Sequence, residues 1–380
     1  MNRILLLLGF IMVISTGFAA PAAQVPILIG TYTRDKGEPV SHGIYRVIFD
    51  QTSGKFLELT LAAEANSPSF LAIHPSGDFV YAVVEAKEFE GQPGGGVMAF
   101  SRDTTSGALR LLNQRPVGAN GPCHLAVDAT GKTLIVANYG GGSVSVFPIS
   151  PDGSLGERSD FHQHSGSGFD EKRQKAPHAH GITISPDNRF VFVPDLGIDQ
   201  LKIYHLDAGS ARLQPAEPAF APLKPGAGPR HFSFSPDGSH GYCVNELDNT
   251  VTSFAWNSEE AVLKLLESIS TLPPDWDGKN TTAEIAVHPN GLFVVASNRG
   301  HDSLAVFRRD PSTGLLTAVS VTSCGGEQPR SFAFSPDGKW IVVAHQGSNS
   351  MVSFAFDPET GQLSPANEKL SVGMPVCVVF

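Results

Sequence analysis

Short runs of four or five apolar residues alternate along this chain with polar tetrapeptides, and the pattern recurs six times. The tetrapeptides are His74-Pro75-Ser76-Gly77, Asp128-Ala129-Thr130-Gly131, Ser185-Pro186-Asp187-Asn188, Ser235-Pro236-Asp237-Gly238, His288-Pro289-Asn290-Gly291 and Ser335-Pro336-Asp337-Gly338. Their last residues lie 54, 57, 50, 53 and 47 positions apart. Gly or Asn in the fourth place supplies the positive φ that a tight turn between strands requires. Phe70-Leu71-Ala72-Ile73 before the first turn and Phe79-Val80-Tyr81-Ala82-Val83 after it show the flanking strands. A second turn signal follows in the repeats, as in Pro151-Asp152-Gly153, Pro311-Ser312-Thr313-Gly314 and Pro358-Glu359-Thr360-Gly361. Two hairpins per period of about 50 residues predict four-stranded antiparallel blades, and hence an all-β propeller.

Six turns leave one blade to be assembled from the ends. Met374-Pro375-Val376-Cys377-Val378-Val379-Phe380 reads as an innermost strand without its turn. Pro26-Ile27-Leu28-Ile29-Gly30-Thr31-Tyr32 reads as a second strand without a first, and Gly43-Ile44-Tyr45-Arg46-Val47-Ile48-Phe49 as a third. The expectation is a seven-bladed ring whose last blade is shared by the N- and C-terminal strands. Such closure removes the open sheet edges of a linear array.

Composition narrows the possibilities. No low-complexity linker or charge block divides the chain, so residues 24–380 are expected to form a single domain. Lys and Arg total 27 against 37 acidic residues, a net charge of −10, which argues against a nucleic-acid partner. Residues 1–23 read differently: Arg3 precedes an apolar run over 4–14, followed by small residues up to Ala23. This is the pattern of a cleaved secretory signal, too short for a bilayer span. The mature protein is therefore expected in the periplasm or outside the cell, without stable membrane insertion, and as a monomer. The four cysteines, Cys123, Cys243, Cys324 and Cys377, fall in different repeats. An exported chain permits disulfides, but spacing cannot establish pairing, and three of the four lie in strands where small buried thiols are common.

Aligning the repeats by their turns exposes polar residues where a purely structural repeat needs none. One position on the innermost strands carries Ser69, Cys123, His180, Arg230, Ala283 and Arg330, and the next carries Phe70, His124, Gly181, His231, Glu284 and Ser331. The end of the second strands carries Glu85, Tyr139, Leu196, Glu246, Arg299 and Gln346. In a propeller these positions form rings around one axis, so residues far apart in sequence meet at one mouth. The plainer alternative for any single member is a channel residue bridging blades or binding water. The concentration of His180, Arg230, His231, Glu246, Glu284, Arg299, His301 and Arg330 favours a site.

Other motifs weigh less. Pro177-His178-Ala179-His180 places two histidines on one strand face, and with Glu246 they could hold zinc. No HExxH or paired-Cys motif accompanies them, and His162-Gln163-His164 reads as a polar loop, so no metal is assigned. Glu171-Lys172-Arg173-Gln174-Lys175 reads as a solvated loop rather than as an anion holder over the channel. Gly94-Gly95-Gly96 and Gly140-Gly141-Gly142 open no helix and are read as bends, not phosphate cradles.

Taken in order, Gly30-Thr31-Tyr32-Thr33, Gly121-Pro122-Cys123-His124, Ala137-Asn138-Tyr139-Gly140-Gly141-Gly142, Pro177-His178-Ala179-His180, Gly228-Pro229-Arg230-His231, Asn245-Glu246-Leu247-Asp248, Thr281-Thr282-Ala283-Glu284 and Ser297-Asn298-Arg299-Gly300-His301-Asp302 resemble the cycloisomerase-type lactonases. This is the seven-bladed 6-phosphogluconolactonase family, related to carboxy-cis,cis-muconate cyclase. The resemblance runs from about residue 26 to the end. It implies lactone chemistry on a small-molecule substrate without a cofactor or a metal. It also implies catalytic roles for His180, Arg230, Glu246 and Arg299, with His178 the rival of His180. In that reading a base for water comes from Glu246 or a channel histidine, His180 protonates the leaving alkoxide, and the arginines receive negative charge. His124, His178, His231, Glu284, His301 and Arg330 are expected to contact substrate.

The expected activity is thus hydrolysis of a sugar δ-lactone to the aldonic acid. The phosphogluconolactone of the family name belongs to cytosolic metabolism, so an export signal favours a non-phosphorylated aldonolactone. The competing readings are a muconate-type cyclase using the same cations for a tricarboxylate, and a propeller that binds a ligand or partner without catalysis.

Overall fold

Each turn tetrapeptide closes its hairpin with the same backbone hydrogen bond. His74, Asp128, Ser185, Ser235, His288 and Ser335 donate their N–H to the carbonyls of Phe79, Thr133, Phe190, His240, Phe293 and Trp340, all at 2.8–3.0 Å. In three turns the serine hydroxyl donates to the Asp two residues on, at 2.5–2.6 Å. Where histidine replaces serine, its ring reaches the next blade: His74 Nε2 lies 3.0 Å from the Gly131 carbonyl and His288 Nε2 2.8 Å from that of Gly338. One turn position therefore both closes a hairpin and ties neighbouring blades.

The computed structural model describes residues 23–380 except 104 and 105; the segment read as an export signal lies outside the described residues apart from Ala23. Seven four-stranded antiparallel sheets form the ring. Blades 1 to 6 begin with the innermost strands Leu71–Ile73, Pro122–Val127, Thr183–Ile184, Pro229–Phe234, Thr281–Val287 and Pro329–Phe334. Their second strands are Phe79–Val84, Thr133–Asn138, Phe190–Asp195, His240–Asn245, Phe293–Arg299 and Trp340–His345. Blade 7 runs, from inside outwards, through Pro375–Val379, Gln24–Thr31, Gly43–Asp50 and Lys55–Glu64. The two ends pair as expected, Leu28 with Val379 and Gly30 with Cys377.

The hydrophobic core is divided among the blade interfaces. Seven clusters of buried side chains each draw on two adjacent blades. Phe192, Phe232 and Phe254 join blades 3 and 4, for example, while Ile29, Phe49, Val342 and Met351 join blades 6 and 7. Because strand residues alternate between faces, each sheet feeds two cores and no blade has one of its own. All four cysteines are buried and unpaired. Among the described residues no helix is long and apolar enough to cross a membrane.

Two sequence expectations are corrected here. Asp160–Gln163 is the outer strand of blade 2, not a loop. His164 follows it into the interior, with Nδ1 2.6 Å from Asp195 and Nε2 2.8 Å from the Tyr204 hydroxyl. That buried pairing gives the histidine a structural partner its polar neighbours in sequence conceal. The second correction concerns the cationic loop before His178. It carries a fully buried Gln174, whose amide donates to the Leu196 carbonyl and to Asp199, both at 2.7 Å.

Candidate active site

Two local devices aim side chains at the channel mouth. On the innermost strands, pairing shifts register between Pro122 and His124, between Pro229 and His231, and between Pro329 and Ser331. The extra residues are Cys123, Arg230 and Arg330. A bulge of this kind re-aims the strand, which explains how Arg230 and His231, adjacent in sequence, both face the axis. On the second strands, buried Asn138, Asn245 and Asn298 bond hydroxyls of the neighbouring strand. Asn245 donates to Thr250 and Thr252 at 2.8 Å, and Asn138 to Ser143 and Ser145 at 3.2 and 3.0 Å. Asn298 reaches Ser303 at 3.1 Å. Each asparagine fixes a strand end, and the next residue, Tyr139, Glu246 or Arg299, projects into the mouth.

The result is a pocket of about 270 Å³ lined by Tyr32, Glu85, Cys123, Tyr139, Arg173, His180, Glu246, Arg299 and Arg330. Glu246 is its electrostatic centre. Its Oε1 accepts from Arg173 Nη2 at 2.6 Å, and its Oε2 accepts from Arg230 Nε at 3.1 Å and forms an ion pair with Arg299 Nη2 at 2.9 Å. Burial alone would raise the carboxyl, but Arg299, Arg230 and Arg173 override it and hold the pKa down at about 2. A carboxylate so tightly neutralised is a poor proton acceptor and a good anchor for guanidiniums.

Arg330 differs from the other three arginines. It lies over the Tyr32 ring at 5.3 Å, and among the described residues it has no hydrogen-bond or ion-pair acceptor. Despite its burial, the neighbouring Tyr32, Glu85 and Glu246 keep it firmly charged. Glu85 Oε2 accepts from Tyr32 at 3.0 Å and from Ser69 at 2.5 Å.

His180 forms the buried wall, its ring edge-on to Tyr139 and to His231 at 5.4 and 5.2 Å. Burial, then the Arg230 cation, pushes it well below the ordinary imidazole value, so it is neutral at neutral pH. Its Nδ1 lies 3.9 Å from Cys123 Sγ, and burial raises that thiol, which keeps it un-ionised. Deeper in the channel, His231 Nδ1 donates to Glu284 Oε1 at 2.7 Å, and its Nε2 faces Arg230 Nη1 at 3.3 Å. This pattern assigns the Nδ1–H tautomer. His124 packs against Phe70 with centroids 3.8 Å apart and accepts the Ile182 N–H at 3.2 Å. Burial lifts Glu284 to about 7.

Of the residues expected from sequence, the pocket lining brings together His180, Glu246, Arg299 and Arg330. Arg230 stands behind Glu246, and His124, His231 and Glu284 form the layer beneath. His178 stacks on the far side of Tyr139, 4.5 Å between centroids, with Nδ1 2.9 Å from the Tyr139 carbonyl. His301 lies outside the lining, edge-on to Trp276 at 4.6 Å and bonded to Ser303. Arg173, expected in a solvated loop, reaches the pocket and also donates to the Tyr139 hydroxyl at 3.3 Å. Its neighbour Gln174 pins the loop. Tyr32, Glu85 and Tyr139 were missed as site residues, although Glu85 and Tyr139 occupy the same aligned position as Glu246. That shared position was the available signal.

The family described as Lactonase, 7-bladed beta-propeller, matches residues 26–380. A Bacillus subtilis protein named 6-phosphogluconolactonase is 35% identical over 352 residues, covering 93% of this chain and 97% of the relative. One of the same name from Formosa agariphila is 34% identical, covering 81% and 85%. The solved structure of a Pseudomonas aeruginosa periplasmic gluconolactonase superposes with a TM-score of 0.88 at 34% identity, covering 94% of this chain and 99% of that one. A full-length family match, relatives above 30% identity and a polar pocket at the axis of a closed seven-bladed ring agree: the chain belongs to the seven-bladed β-propeller lactonases and is a lactone-hydrolysing enzyme.

Proposed function

We propose that this lactonase opens a neutral sugar δ-lactone, an aldono-1,5-lactone, to the aldonic acid outside the cytoplasm. The observation that carries the reading is the division of labour among the arginines. Glu246 engages Arg173, Arg230 and Arg299, which leaves Arg330 as the uncommitted guanidinium in the pocket among the described residues. One free cation matches the single oxyanion that develops when water adds to a lactone carbonyl. A tricarboxylate or a phosphate ester would ask for more. The similarity to a periplasmic gluconolactonase and the signal-like residues 1–23 support the same substrate class and location.

The chemistry follows from the groups present. Neutral His180 takes a proton from water as the water oxygen bonds to the carbonyl carbon. Arg330 stabilises the oxyanion. The tetrahedral intermediate then collapses, the bond from the carbonyl carbon to the ring oxygen breaks, and the departing alkoxide takes the proton back from His180. Imidazole serves both steps because it gains and returns one proton. Glu246 holds the arginines in place, with Arg230 behind it. His124, His231 and Glu284 back the His180 wall from below, His178 supports Tyr139, and His301 stands at the rim.

The test is acid release by the mature protein on glucono-1,5-lactone and its 6-phosphate side by side, with spontaneous hydrolysis subtracted. The neutral lactone is expected to show the higher kcat/KM. Preference for the phosphate would overturn the substrate assignment, and no turnover of either would overturn the reading.

A further inference from the structure

A second cleft opens beside the pocket. It occupies about 490 Å³ and is lined by Lys279, Asn280, Thr281, Arg299, Gly300, Asp302, Glu327 and Gln328. Arg299 lines both spaces, so the cleft adjoins the pocket at the join of blades 5 and 6.

The cleft has a rigid wall and an uncommitted lining. Asn280 is held by Asn249 and Asn298 at 2.8 and 3.1 Å and accepts the His301 N–H at 3.0 Å. Asp302 Oδ1 accepts the N–H groups of Gln328 and Gly300 at 2.8 and 3.1 Å, which ties the lips of the two blades together. By contrast, the side chains of Lys279, Thr281, Glu327 and Gln328 have no hydrogen-bond or ion-pair partner among the described residues. Half-exposed Trp276 borders this rim through its contact with His301.

The charges exclude an anion. The lining sets two cations, Lys279 and Arg299, against two acids, Asp302 and Glu327, and Arg299 is already committed to Glu246 and to the Thr282 carbonyl. What remains is a mixed set of donors and acceptors beside an aromatic ring, which suits a neutral, hydroxyl-rich group.

We propose that this cleft is an accessory subsite for a second sugar ring attached to the lactone, so that disaccharide-derived aldonolactones are the better substrates. The inference rests on the sugar-lactone reading of the central pocket. The test compares glucono-1,5-lactone with cellobiono-1,5-lactone for the wild-type protein and for a Lys279→Ala/Glu327→Ala double variant, whose changes lie outside the central pocket. The wild type is expected to show a KM about tenfold lower for the disaccharide lactone, the gain of one or two net hydrogen bonds. The double variant is expected to lose that advantage while keeping its turnover of the monosaccharide lactone, which also reports correct folding. Equal KM values in the wild type, or an advantage that survives in the double variant, would overturn the subsite alone. If the wild type hydrolyses neither lactone, the substrate reading itself fails and the subsite with it.

Discussion

Glu246 Oε2 lies 2.9 Å from Arg299 Nη2, and each of these residues directly follows a buried asparagine at the end of the second strand in adjacent blades. The ion pair is therefore built by the repeat itself: the same strand end, used twice, delivers an acid and a base to one point. Glu246→Gln would keep the shape and remove the charge that three guanidiniums share. We expect turnover to fall at least a hundredfold and stability to drop by about 3 kcal/mol, because uncompensated buried cations remain. Acid-release kinetics and urea denaturation of the same preparation check both.

Arg330→Gln should separate catalysis from stability. With no direct hydrogen bond or ion pair to lose, the variant is expected to unfold close to the wild-type urea concentration. Its kcat should fall by about 10²–10³, the usual loss when one oxyanion donor is removed. A variant that lost stability but kept kcat would contradict the assigned role.

The acid limb of the rate profile tests His180. In the proposed mechanism the neutral ring is the active form, and its pKa is depressed in the folded protein. Activity is thus present above that depressed value and is lost as pH falls through it. kcat/KM should stay level across pH 6–8 and decline only well below the ordinary imidazole range. His180→Asn should remove most of the turnover, about 10²-fold or more.

Glu284 predicts a stability effect of opposite sign. Its folded-state pKa is raised to about 7 from the ordinary carboxyl value, so the folded protein favours the protonated acid. That contribution is present at low pH and is lost as pH rises towards and through 7. Glu284→Gln imitates the protonated form and retains an acceptor for His231. It should match the wild type near pH 5 and exceed it by roughly 1–3 kcal/mol at pH 8, measured by urea denaturation at both.

The blades, their number and the shared seventh blade were legible because turn residues and apolar runs are local signals that repeat. Arg230, Glu246, Arg299 and Arg330 were legible as channel residues for the same reason: once the turns are aligned, polar and charged residues recur at the same few strand positions. Arg173 was not, since its place depends on Gln174 folding the loop inwards through bonds to Leu196 and Asp199, contacts no local pattern announces. His164 was misjudged for a related reason, its partners Asp195 and Tyr204 lying in the next blade. Tyr32 needed the seam itself, because its hydrogen bond to Glu85 joins blade 7 to blade 1. Glu246 was visible as a channel residue, but its unsuitability as a base emerged only from the three guanidiniums around it.

The seam also sets how the ring responds to force. In blade 7 the strands Gln24–Thr31 and Pro375–Val379 run antiparallel, and Leu28 faces Val379, so their free ends leave the sheet from the same side. Tension applied through those ends loads the backbone bonds one after another, as in opening a zipper, instead of shearing them together. Optical-trap pulling on the two ends should therefore open the ring at low force, whereas handles attached at the turns of opposite blades must strain two blade interfaces at once. The joint that makes the circle complete is thus expected to be the first to give way under load.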